Sequence, residues 1–202
     1  MTELKQHEKK QDHLLILNSL MATLPTEPIL RGRNIILRPM CAEDTELFLR
    51  MRNHSEVQKW FIYRKDITEA EHMEWIAKHL VQGGDSKQFM IYAPQEDGFT
   101  DHVIGCTNLK NIDFLEKKAE YGLFIADPSV RGKGYGAETV ALMAKYAFDK
   151  IGLESVFSRV YTNNVPSVKH LEREGFEIIK EEKAVVSTDG TRADMYLMEL
   201  HK

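Results

Sequence analysis

Three glycines at alternate positions constrain this chain more than any other feature. Arg131-Gly132-Lys133-Gly134-Tyr135-Gly136 follows Glu120–Ala126, a strand candidate that Asp127-Pro128 closes. It precedes Val140, Ala141, Ala144, Ala147, Phe148 and Ile151, which recur at helical spacing until Gly152 ends them. Glycines between a strand and a helix let the backbone approach a ligand and present consecutive N–H groups. The helix start adds a partial positive charge, and Arg131 and Lys133 add full ones. Such a unit is an anion site, best suited to a pyrophosphate. It is not a Walker A loop, which needs four residues before Gly-Lys-Ser/Thr. Nor is it a dinucleotide fingerprint, because its glycines read G-x-G-x-G. The plainer alternative is a strand-to-helix turn carrying two surface cations.

The rest of the chain reads as one domain with an appendage. In residues 1–30 a charged start leads to Leu14, Leu17, Met21 and Leu24 on one helical face, which Pro25 ends. A helix this short is marginal in water. It is expected to dock on its own domain or on a second copy, which would make a homodimer. Residues 31–202 carry the domain. Strands are expected at Ile35–Leu37, Gln88–Ala93, Val103–Leu109, Glu120–Ala126, Ser155–Val160, Glu177–Glu182 and Met195–Leu200. Helices are expected at Ala42–Asn53, after Thr68 with Glu71 as its reciprocal cap, along Val140–Ile151, and after Asn164. Glu96-Asp97-Gly98 and Asp189-Gly190 mark turns.

Composition excludes several classes. A formal net charge of −4 argues against a nucleic-acid or anionic-membrane partner. No apolar run reaches the ~18 residues of a membrane span. The apolar stretch Leu14–Leu24 follows Lys9 and Lys10, but Glu3, Glu8 and Asp12 lie in that flank, Asn18, Ser19 and Thr23 interrupt the stretch and no cleavage site follows, so a short amphipathic helix is expected and not a signal peptide. The two cysteines, Cys41 and Cys106, form no CxxC, so a reducing cytoplasm is expected. His72 and His79 lie seven apart and no HExxH occurs, so no metal site is expected.

The spacing Arg131-x-x-Gly134-x-Gly136 resembles the acetyl-CoA loop of the GNAT N-acetyltransferase superfamily. Ala119-Glu120-Tyr121-Gly122-Leu123-Phe124-Ile125 looks like that family's fourth strand. Asn164-x-x-Ser167, then Leu171, then Gly175-Phe176, looks like its later N-x-x-S…GF segment. Asn53-His54 with Val57, and Glu71-His72 with Trp75, are similar to the acceptor-side helices of its RimJ/RimL-like and amino-sugar branches. The resemblance runs from about Asn34 to Leu200.

It implies an α/β fold with a mixed, mostly antiparallel sheet of six or seven strands flanked by helices. It also implies acetyl transfer from acetyl-CoA directly to a primary amine: a protein N-terminus, an amino-sugar nucleotide or another small amine. In the family the fourth and fifth strands splay apart and pantetheine lies between them as an added strand. By position the backbone of Phe124 and Ala126 would bond it, while Arg131, Gly132, Lys133, Gly134, Tyr135 and Gly136 hold the pyrophosphate. Glu120 stands eleven residues before Arg131, where histone-acetylating members place a catalytic base; the alternative is an ordinary strand glutamate that faces water or pairs with Lys117 or Lys118. The family's tyrosine four residues before Gly-Phe is Leu171 here, so Ser167 is the candidate proton donor, or only a helix-capping residue. Asn164 is a cap, a pantetheine partner or both. Arg52, Asn53, His54, Trp60, Tyr63 and His72 are candidates for the acceptor pocket. The missing tyrosine keeps a second reading open, a non-catalytic acyl-CoA sensor, against which the carboxylate at Glu120 argues.

Overall fold

The computed structural model describes residues 27–82, 84–94 and 101–202. The expected helix at Leu14–Leu24 and the expected turn at Glu96-Asp97-Gly98 lie outside the described residues. One eight-stranded sheet runs β1 (Leu30–Arg31), β2 (Ile36–Pro39), β3 (Lys87–Pro94), β4 (Asp101–Asp113), β5 (Lys118–Ile125), β6 (Ser155–Tyr161), β8 (Arg192–His201), β7 (Glu177–Val186). Every neighbouring pair is antiparallel except β5 and β6. The strand not foreseen is β1, whose two residues are too few to show an alternating pattern. It sits at the boundary of the segment read as an appendage. Glu27, just before it, pairs with Lys87 at 2.6 Å and receives the Tyr146 hydroxyl, so the chain is tied to the domain before β1 begins.

Five α-helices accompany the sheet among the described residues: α1 (Thr45–Arg52), α2 (Ser55–Gln58), α3 (Glu69–Trp75), α4 (Tyr135–Lys145) and α5 (Val165–Arg173). Two of them continue in a wider π-type winding, α3 through Ile76–Gln82 and α4 through Tyr146–Ile151. The expected capping box forms at α3. The Thr68 hydroxyl accepts from Glu71 N–H, and the Glu71 carboxylate accepts from Thr68 N–H at 2.7 Å.

Period-two alternation divides the sheet into two apolar layers. Phe89, Ile91, Leu109, Tyr121 and Leu123 meet Val140, Met143 and Tyr146 of the α4 region and Val168 and Leu171 of α5. On the other face Met90, Cys106 and Phe124 meet Phe48 and Met51 of α1. Leu171 is therefore a core residue, 4% exposed, which accounts for leucine at that position. β5 lies between the two layers, with side chains alternately in each.

Candidate active site

β5 and β6 begin together and then part. Their pairing covers only Lys118, Ala119 and Glu120 against Ser155, Val156 and Phe157. From Tyr121 onward β5 has no partner on that side among the described residues, while its other edge stays paired to β4 as far as Ile125. Two hydrogen bonds give the polarity of the open edge. Lys117 O accepts from Glu154 N–H at 2.7 Å on the β6 side, and Ala126 N–H donates to Ile104 O at 2.8 Å on the β4 side. A strand alternates its backbone groups, so Tyr121, Leu123 and Ile125 face the gap. Phe124 and Ala126, expected to offer their backbone there, are turned toward β4. The correction is one residue of register. What Phe124 does offer is its ring, which lines a cavity on the α1 face.

The glycine-rich loop stands at the end of this gap. Gly132 and Gly134 have φ of +77° and +84°, a region that side chains with a Cβ rarely enter. Open space surrounds both, so it is conformation and not crowding that selects glycine. Gly134 caps α4, and the N–H groups of Tyr135 and Gly136 in the first turn have no intrahelical acceptor. Arg131 and Lys133 are exposed beside them. A Cβ at Gly136 would stand 3.3 Å from the His170 ring. His170, which the sequence did not single out, thus lies against the loop from α5. Burial lowers the pKa of its imidazole, and its Nε2 is buried without a partner among the described residues.

Asn164 is the N-cap of α5. Its side-chain oxygen accepts from Ser167 N–H at 3.4 Å, and its carbonyl accepts the same N–H at 3.0 Å. Capping thus falls to Asn164, with Ser167 as the donor.

Glu120 is 7% exposed and neither lysine weighed from sequence is its partner. Lys110 Nζ lies 3.1 Å from one carboxylate oxygen. Arg159 Nη2, at 3.6 Å, and Asn111 Nδ2, at 3.3 Å, approach the other. Lys110 is the β4 residue opposite Glu120 and also lines the cavity, so the carboxylate stands at the cavity's margin.

That cavity is about 330 Å³, the size of a small-ligand pocket. β5 supplies Gly122, Leu123 and Phe124; β4 supplies Cys106, Asn108 and Lys110; α1 and α3 supply Phe48, Arg52, His72 and Trp75. Of the six residues proposed for an acceptor pocket, Arg52, Tyr63 and His72 line it. The other three do not: Asn53 clamps the backbone of Ile67 at 2.9 Å in both directions, His54 caps α2, and Trp60 is exposed beside Lys59. Cys106 in the wall is no ready nucleophile, because burial pushes its thiol well up; Cys41 is pushed up to about 11, first by burial.

His72 stacks on Phe48 at 4.5 Å and is lowered to about 4 by burial alone. The native state holds it neutral, whereas the unfolded chain takes up a proton below about 6.5. Its contribution to stability is complete above pH 6.5 and is lost as the pH falls toward 4. His72→Phe should therefore lose less melting temperature than the wild type between pH 7 and 5. Identical pH slopes in thermal melts would contradict this.

Residues 34–177 match the family model of the acetyltransferase (GNAT) domain, and the chain belongs to that family. It is a GNAT acetyltransferase. The chain is 27% identical over 184 residues to the uncharacterised N-acetyltransferase p20 of Bacillus licheniformis, covering 90% of this chain and 97% of that protein. It is 28% identical over 142 residues to the acetyltransferase PseH of Campylobacter jejuni, covering 70% and 82%. Among solved structures, spermidine N-acetyltransferase from Vibrio cholerae, in complex with CoA and spermine, superposes with a TM-score of 0.75 at 19% identity, covering 84% of this chain and 96% of that one.

Proposed function

We propose that the chain transfers the acetyl group of acetyl-CoA directly to a primary amine bound in the cavity beside β5. The observation that carries this is the parting of β5 from β6 next to the left-handed glycine loop. Leu123 and Ile125 would offer backbone groups to the pantetheine arm as a neighbouring strand does. The loop from Arg131 to Gly136 would hold the pyrophosphate. Both thiols are shifted upward and away from thiolate chemistry, which favours attack by the amine itself over an acyl-enzyme. The amine nitrogen bonds to the thioester carbon, the C–S bond breaks, CoA leaves as the thiolate, and the amine's proton passes to Glu120. Ser167 and His170 stand on α5 as candidate donors of a proton to the leaving sulfur.

Acetyl-CoA should slow amide hydrogen exchange at Leu123, at Ile125 and through Gly132–Gly136. A complex with no protection in either segment would place the cofactor elsewhere.

A further inference from the structure

The acceptor cavity contains a buried cation with no counter-ion among the described residues. Arg52 is 4% exposed, donates through Nη2 to Tyr63 O at 2.8 Å and stacks its guanidinium 3.6 Å over the Phe61 ring. These contacts hold the fork in place but bring it no carboxylate. Nη1 is buried and has no partner among the described residues. Burial pushes the group down to about 10. Two other residues of the same cavity share this condition: His72, with Nε2, and Asn108, with Oδ1. Lys110 also lines the wall, but its charge is already met by Glu120 at 3.1 Å. Among the described residues the carboxylate in the lining is Glu71, which is taken up by the Thr68 N–H and hydroxyl and approached by the Tyr63 hydroxyl at 3.4 Å.

A buried charge is unfavourable until it is paired and hydrogen-bonded. A guanidinium with one edge free matches a planar oxyanion. We infer that the amine acceptor carries an oxyanion, a carboxylate or a phosphate, and that Arg52 is its counter-ion in the cavity, with Asn108 Oδ1 left to accept from an N–H or O–H elsewhere on the same ligand. The inference rests on the acetyltransferase reading and narrows it to an acidic amine. The likeness to a spermidine acetyltransferase then extends to the fold and not to the acceptor.

CoA release with a panel of acceptors tests this. The panel pairs amino carboxylic acids of stepped length with their carboxamides, and adds aminoalkyl phosphates and spermidine. The oxyanion should exceed its neutral counterpart at least about tenfold in kcat/KM, as expected for a hydrogen bond to a charged group. Relative rates of carboxylate and phosphate then identify which oxyanion is read. Arg52→Gln should bring the ratio near one with acetyl-CoA affinity unchanged, and Arg52→Lys should restore part of it. Equal or better turnover of carboxamides or spermidine, or no turnover of any oxyanion, overturns the assignment whether or not the variants fold. So does an unchanged preference in an Arg52→Gln protein that still binds acetyl-CoA. If wild-type protein binds no acetyl-CoA, the acetyltransferase reading fails and takes this assignment with it; intact cofactor binding without oxyanion preference removes this assignment alone.

Discussion

Glu120→Gln is expected to lower kcat by about 10²–10⁴, the usual loss on removing a general base, with acetyl-CoA affinity unchanged. Alkylamines are largely protonated near neutrality, and only the free base attacks a thioester. The acceptor must therefore give up a proton, and Glu120 is a carboxylate at the margin of the cavity, on the same sheet face as Gly122 and Phe124. Lys110 and Arg159 hold the carboxylate in place. Glutamine keeps the shape and can still accept from Asn111, but cannot take up the proton. The deficit should shrink at high pH, where more of the amine is already neutral. Because the substitution also leaves two cations without their partner, the melting temperature has to be followed alongside the rate. A folded Glu120→Gln enzyme with wild-type kcat across neutral pH would make Glu120 a structural ion-pair partner only.

Gly134→Val is expected to weaken acetyl-CoA binding at least tenfold, on the order of 1.4 kcal/mol, and to leave the fold in place. At φ +84° a β-branched residue is strained. The space around the position is open, so the strain is relieved by changing the loop and not by disturbing the core. The changed loop no longer presents its N–H groups together at the start of α4. Calorimetry with acetyl-CoA measures the effect. Wild-type affinity in a folded variant would detach the loop from the pyrophosphate.

The loop and its helix were legible because their signals are local. Glycine spacing, Thr68 with Glu71, and the helical period after Tyr135 each involve residues within a turn or two of one another. The register of β5 was not legible in this way. Whether even or odd residues face the gap depends on which neighbour takes Ala126 N–H and which takes Lys117 O, and Ile104 and Glu154 are both far away in sequence. A resemblance by position therefore pointed to Phe124 and Ala126, while hydrogen bonding turns Leu123 and Ile125 outward. The cavity was half legible for the same reason. Arg52, Tyr63 and His72 belong to the segment that covers the sheet and drew attention by their chemistry. Asn108 and Lys110 belong to β4 and reach the cavity only through pairing with β5. His170 reaches the loop only because α5 packs against Gly136. The sequence offers only the adjacent lysines as partners for Glu120, because Lys110 and Arg159 come from the strands on either side of it.

Direct acetyl transfer is tested most simply by incubating the protein with acetyl-CoA, with and without amines, and following protein mass, free CoA and N-acetyl product together. Without an amine the protein mass should stay unchanged and CoA should not accumulate; with an acceptor, CoA and N-acetyl product should appear in equal amounts. An acetylated protein that passes its group on would establish a covalent route instead. Binding of acetyl-CoA with no transfer to any amine would mark the chain as an acyl-CoA sensor.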